Sequence, residues 1–297
     1  MESPQIQTSD EQFLQTWMKD LPDQSFISNI TIPGTHNSLA MYGGYLKITP
    51  CQCQSWSVKD QLRAGLRFFD LRGKLSNGKF RAYHEVMDQR VDIKDVFNDF
   101  YDFLDKNPSE FLAINLQYEL YDGKQYDEQL TKCFEELIYN QQTTINNINQ
   151  NSLQNNKRNK IRENYWIIQK EIPTVQDSRG KIFLVSNWKY PNSLNWKQCV
   201  KQNAWDAKIE EKIKLISEFN EKSRRGIQLQ KIKKQEDQQL YVNFLTANVL
   251  TKWALSYSKI LNKFYSENCN GRGIILMDFP SEQLILKIIQ LNYNQNQ

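Results

Sequence analysis

Apolar positions in this chain fall into short blocks that switch between a two-residue and a 3.6-residue rhythm. Asn29–Ile32 reads as a short strand stopped by Pro33-Gly34, Leu66–Leu71 as a compact apolar strand, and Lys79–His84 as an alternating strand entered through the turn Asn77-Gly78. Between the first two, Val58–Ala64 reads as a helix closed by Gly65. Asp92–Lys106 sets Ile93, Val96, Phe97, Phe100, Phe103 and Leu104 on one helical face, and Asn107-Pro108 ends it. The order continues with strand Phe111–Leu116, helix Tyr126–Tyr139, strands Lys181–Val185 and Tyr241–Leu245, helix Lys252–Tyr265, strand Gly273–Phe279 and helix Glu282–Leu291. Recurring strand–helix units predict an α/β protein with a parallel sheet covered by helices. Asn140–Asn156 is low-complexity Asn/Gln sequence and reads as a surface insertion, spanning about 140–157.

Composition narrows this picture. A length of 297 residues leans toward two domains, yet α/β barrels of about 250 residues fold as one. An apolar content of 39% with 12% aromatics suffices for a large core; the Asn/Gln stretches draw the mean hydropathy down to −0.69. The net charge of +4 suits an anionic surface and is too small to argue for nucleic acid. The basic run Lys222–Lys234 is mixed with Gln and Glu and reads as a solvated loop or helix face. Cys51 and Cys53 are too closely spaced for a zinc half-site and no second pair follows, so the five cysteines read as reduced thiols in a cytoplasmic setting. The first twenty residues lack a basic-then-apolar leader pattern, and no stretch approaches the roughly 20 apolar residues of a membrane span. Membrane contact is therefore expected to be peripheral, with Trp56, Trp188, Tyr190 and Trp196 in predicted loops as candidates to dip into a bilayer.

Histidine is the informative scarcity. The chain has two, His36 and His84, and each follows a predicted strand, where α/β folds place their active-site loops. Imidazoles titrate near neutrality, so one ring can take a proton while another gives one. Cleavage of a phosphodiester by an internal hydroxyl needs both, together with positive charge against the non-bridging oxygens. Arg72, within Phe69-Asp70-Leu71-Arg72-Gly73, could supply that charge through its planar fork, or could pair structurally with Asp70.

The run Asn29–Glu119 resembles the catalytic X region of phosphatidylinositol-specific phospholipase C, bacterial-type branch. The resemblance is carried by Ile32-Pro33-Gly34-Thr35-His36-Asn37-Ser38, by Gln61 to Gly73, by Tyr83-His84 and by Asn107-Pro108-Ser109-Glu110. It continues more loosely through Arg179-Gly180-Lys181-Ile182 and Met277-Asp278-Phe279. The resemblance implies a single distorted, parallel (βα) barrel of TIM type over residues 29–297, with residues 1–28 as a lead-in packed on it. It implies that His36 is the general base on the inositol 2-hydroxyl, oriented by Asp278. His84 would be the general acid, held by Asp70, and Arg72 would grip the phosphate. The implied substrate is phosphatidylinositol or a glycosylated derivative at a phospholipid surface, and the implied products are diacylglycerol and inositol 1,2-cyclic phosphate. A monomer with no nucleic-acid partner is expected.

Arg72 also bears on metals. Calcium-dependent relatives carry a carboxylate there, and a fixed guanidinium would both repel the ion and replace its charge. Asn37 points the other way, since it stands where metal-independent relatives carry Asp; the expectation is a calcium-independent enzyme without cofactor. Other departures fall in the headgroup site. Gln117 replaces an expected Lys, Asn187 an Arg, Asn203 an Asp, and Trp205 a stacking Tyr; Glu85 follows His84 where Gly is usual. The competing readings are a magnesium-dependent lipid phosphodiesterase on a related barrel and a catalytically silent lipid-binding module.

Overall fold

The structure is a computed structural model that describes residues 8–43, 51–119, 126–139, 162–248 and 254–293; the Asn/Gln-rich insertion lies outside the described residues. Its strands are β1 (Ile32–Thr35), β2 (Phe68–Ser76), β3 (Lys79–His84), β4 (Met87–Asp92), β5 (Leu112–Tyr118), β6 (Trp166–Ile167), β7 (Ile182–Ser186), β8 (Leu194–Asn195), β9 (Val200–Gln202), β10 (Tyr241–Phe244) and β11 (Ile274–Met277). Eight α-helices accompany them among the described residues: α1 (Thr8–Thr16), α2 (Val58–Arg63), α3 (Ile93–Lys106), α4 (Asp127–Tyr139), α5 (Val175–Ser178), α6 (Ile209–Gln230), α7 (Ala254–Glu267) and α8 (Glu282–Gln290).

The strands join in the order β6-β7-β5-β2-β1-β11-β10-β9, every pairing along this path parallel. Side chains show that the sheet curls. Trp196, just beyond β8, stacks on Phe68 of β2 at 6.0 Å and meets Phe244 of β10 at 6.3 Å, so distant strands share one interior. No pairing joins β9 to β6 or β8 among the described residues, and the barrel is open on that side. In β2 the alternation sends Phe68, Asp70 and Arg72 inward while Phe69 packs outward on Phe100 of α3 at 4.9 Å. The barrel is thus apolar at one end and charged at the carboxyl end of the strands.

Two expectations need correcting. Pro33-Gly34 does not stop the first strand but lies inside it. The parallel register would send an N–H of residue 33 to the Gly65 carbonyl, and that carbonyl instead accepts the Trp17 indole N–H at 2.9 Å, so the proline leaves no orphan. Gly34 is required by space: a Cβ there would sit 2.7 Å from the Phe68 carbonyl oxygen. The basic run starting at Lys222 forms, as expected, a solvated helix face: the end of α6 exposes Lys222, Arg224 and Arg225 and buries Ser223, Ile227 and Gln230. Trp188 and Trp196 are buried rather than available to a bilayer, and Trp56 and Tyr190 are half-buried.

The foot of β2 is held by Arg67, fully buried and saturated. Its Nε donates to Glu110 Oε2 at 2.9 Å, Nη1 to the carbonyls of Leu62 and Leu66, and Nη2 to those of Leu14 and Gln15. Glu110 Oε1 in turn accepts from the Met18 N–H and the Ser109 hydroxyl. One ion pair therefore ties α1, α2, β2 and the turn before β5. Glu110→Gln leaves the guanidinium buried without its counter-charge and is expected to cost about 3 kcal/mol in urea unfolding; a change below about 1 kcal/mol would contradict this role.

Candidate active site

His36 follows β1 directly. Its N–H donates to the Met277 carbonyl at 3.0 Å, extending the β1–β11 ladder by one step, and Gln54 Nε2 bridges the His36 and Met277 carbonyls at 2.7 and 3.0 Å. Asp278, the residue after β11, is thereby placed beside the ring, with Oδ1 2.8 Å from His36 Nδ1. The expected His36–Asp278 partnership is present.

His84 arrives by a different route. β2 runs beyond the barrel to Ser76, turns at Asn77-Gly78 with φ of 50° and 72°, and returns antiparallel as β3. Gly73 pairs with Ala82, so two residues later His84 is back level with the Asp70–Arg72 segment. The two imidazoles meet edge to face with centroids 6.4 Å apart. Glu85 adopts φ 54°, the left-handed conformation for which the expected glycine is suited, and its N–H donates to Glu119 Oε1 at 2.9 Å.

Asp70 does not hold His84 by a hydrogen bond. Its Oδ2 accepts from Arg72 Nε and Nη2 at 3.1 and 2.9 Å and from the Asn37 N–H at 3.1 Å, and its Oδ1 accepts from Asn115 Nδ2 at 2.8 Å. His84 Nδ1 lies instead 2.9 Å from the Cys51 carbonyl, which can only accept, so Nδ1 carries the proton. With Nδ1 of both rings engaged by the protein, Nε2 of each is left for a ligand. Arg72 lies between two carboxylates, Glu119 Oε1 being 4.0 Å from Nη1.

Burial sets the charges. Desolvation alone would raise the Asp70 pKa, but Arg72, His36 and the hydrogen bonds outweigh it and hold the carboxyl below its ordinary value. Burial likewise opposes the Arg72 charge and is overcome by Asp70 and Glu119, which raise its pKa. Burial raises Glu119 despite Arg72. His84 is pushed down to about 4, first by burial and then by the positive fields of His36 and Arg72. In the free protein it is neutral at neutral pH.

The headgroup candidates divide. Gln117 lies beside Arg72 in the β2–β5 register, and its Oε1 accepts from Asn187 Nδ2 at 2.6 Å, so those two form one polar unit next to Arg72. Asn203 is exposed and lines, with Gln202 and with Leu215 and Phe219 of α6, a surface hollow on the flank of the sheet, and Gln202 Oε1 there accepts from Lys212 Nζ of α6 at 2.9 Å. Trp205 is 61% exposed and free to stack. Asn37 is fully buried at φ 40°, and both atoms of its side-chain amide lack a partner among the described residues. Asn115, Glu119 and Gln54 were not foreseen. Asn115 did carry a signal: it is a polar residue inside the apolar run Phe111–Leu116.

A family model described as PI-PLC X 1 matches residues 23–243. The chain belongs to the PI-PLC X family. Among curated proteins this family member is similar to the 1-phosphatidylinositol phosphodiesterase of Listeria monocytogenes, with 28% identity over 297 residues, covering 93% of this chain and 84% of the relative. The protein of the same name from Staphylococcus aureus is 25% identical over 176 residues, about half its length, 50%. The phosphatidylinositol-specific phospholipase C structure from Listeria monocytogenes superposes with a TM-score of 0.69 at 25% identity, covering 94% of this chain and 98% of that one. A Staphylococcus aureus structure, TM-score 0.73 at 18% identity over 95% and 99% of the two chains, shares the fold. These neighbours are TIM-type barrels, and the distorted barrel described above is of that type.

The depressed His84 value has a consequence for stability. The unfolded chain binds the extra proton between the ordinary imidazole value and about 4. The contribution of neutral His84 is therefore complete above about pH 6.5 and declines as pH falls, by roughly 2 kcal/mol between pH 7 and 4.5. Urea unfolding at those two pH values should show that loss in the wild type and not in His84→Gln, which keeps a donor for the Cys51 carbonyl. An identical pH dependence in both proteins would contradict it.

Proposed function

We propose that this PI-PLC X family member is a phosphatidylinositol phosphodiesterase that cleaves its substrate by intramolecular transfer, releasing diacylglycerol and inositol 1,2-cyclic phosphate. The 1-phosphatidylinositol phosphodiesterase activity of the Listeria monocytogenes and Staphylococcus aureus relatives supports the substrate class. The observation that carries the mechanism is the edge-to-face approach of His36 and His84 at 6.4 Å, beside the Arg72 guanidinium.

His36 Nε2 takes the proton of the inositol 2-hydroxyl, and Asp278 on Nδ1 fixes the ring and balances the imidazolium that forms. The oxygen attacks phosphorus while Arg72, oriented by Asp70, stabilises the charge on the non-bridging oxygens. His84 Nε2 protonates the departing glycerol oxygen. Since His84 is neutral in the free protein, the arriving phosphate anion has to raise its proton affinity before it can act as the acid. Gln117 with Asn187, and the exposed Trp205, are the groups offered to inositol hydroxyls and ring face. Arg72 stands in for a divalent ion, and the reaction needs no metal. The protein works as a monomer at a phospholipid surface, where its substrate resides; no helix among the described residues is long and apolar enough to cross a membrane.

Purified protein added to phosphatidylinositol vesicles is expected to release a cyclic phosphate, followed by phosphorus NMR, equally with and without a chelator. His36→Ala should lower the rate by about 10³-fold, and Arg72→Lys, which loses the fork, by about 10²-fold. Turnover that vanishes with chelator would overturn the metal-free mechanism. Vesicle binding without any release would support a lipid-binding module instead.

A further inference from the structure

We infer that Cys53 makes the catalytic centre a binding site for a thiophilic divalent cation such as zinc, which locks the centre when bound. The site stands on geometry; its inhibitory consequence rests on the proposed function. A ring nitrogen of His36, Cys53 Sγ and a carboxylate oxygen of Asp278 all lie within 4.8 Å of one another. His84 Nδ1 is 3.8 Å from the same sulfur. Nitrogen, sulfur and oxygen from three side chains, with one position left for solvent, is a donor set that suits tetrahedral zinc.

The backbone holds these donors firmly. Cys53 donates its N–H to the Ala40 carbonyl at 2.8 Å, and its own carbonyl accepts from Phe279 N–H at 2.9 Å, so the thiol is pinned between the segment after His36 and the residue after Asp278. Bond lengths of about 2.0–2.3 Å bring zinc ligands to roughly 3.3–3.8 Å from one another; side-chain rotation by about an ångström would close the site. Cys53 is 1% exposed, and the His36 side chain, 17% exposed, is the donor that faces the way in. On binding, the S–H proton passes to water as the sulfur–metal bond forms, while the imidazole lone pair and the carboxylate complete the set; no electron is exchanged. Thiolate and carboxylate together cancel the ion's two charges, which offsets the repulsion from Arg72. With His36 and Asp278 occupied, the base is lost.

The test uses the full chain stripped of metal, with cobalt(II) as the spectroscopic probe. Wild type should develop a thiolate-to-cobalt charge-transfer absorption saturating at one equivalent, displaced by zinc, while Cys53→Ser and Cys53→Ala lack it and Cys133→Ser keeps it. Zinc should inhibit vesicle cleavage by wild type, reversibly with chelator. Cys53→Ser should turn over normally without zinc and need at least ten-fold more zinc for the same inhibition. A band absent from wild type, a band retained in both Cys53 variants, or equal zinc sensitivity overturns the inference. If neither protein turns over, the proposed function fails, and the absorption band alone decides the site.

Discussion

The buried carboxylate of Asp70 is the constraint on which the catalytic end of the barrel depends. It gathers donors from three places: the Arg72 fork on its own strand, the Asn37 N–H on the turn after β1, and the Asn115 amide on β5. Its backbone carbonyl also accepts from the Ser38 N–H at 2.9 Å. Asn37 can reach the carboxylate because it turns into the left-handed region, which also sets the direction of the chain leaving His36. One acid thus fixes the Arg72 guanidinium and the loop that carries His36 in a single arrangement. The opposite end of β2 uses the same device, Arg67 with Glu110, for stability alone.

Cation and anion are nearly balanced in this centre, and that balance shapes the chemistry. Arg72 faces Asp70 and Glu119, while burial and two positive neighbours keep His84 neutral. In the proposed mechanism, a site poised this way holds its acid uncharged until a phosphate supplies negative charge. Substrate binding and the charging of His84 are then one coupled event. The cost is a group whose protonation works against the fold, borne at the position that needs it.

Strongly amphipathic or strictly alternating signals were legible in the sequence, whereas short or polar ones, and most of the long, largely polar helix α6, were not. The helical face of Asp92–Lys106 and the alternation of Lys79–His84 mark α3 and β3 within a residue. β4 was invisible because Met87–Asp92 is mostly polar and pairs only along a hairpin, and β6, β8 and β9 are two or three residues long, too short to show a period. Pro33 misled because its missing donor is compensated by Trp17, far away in the chain. Within the site, His36, His84, Arg72 and Asp278 are together as the motifs implied. Asp70 went to Arg72 because a guanidinium two residues along the same strand face is the nearer partner. Cys53 could not be found from cysteine spacing, since its neighbours His36 and Asp278 come from other elements.

The central claim is that both imidazoles address one phosphate and that His84 becomes charged only when the anion arrives. With two histidines in the chain, their ring Cε1–H proton resonances can be followed individually by NMR across pH, assigned with His84→Gln, with and without saturating inositol 1-phosphate. Both rings should respond to the ligand, and the His84 midpoint, about 4 in the free protein, should move upward by at least one pH unit. A His84 midpoint unchanged by the ligand, or a response confined to one ring, would contradict the account.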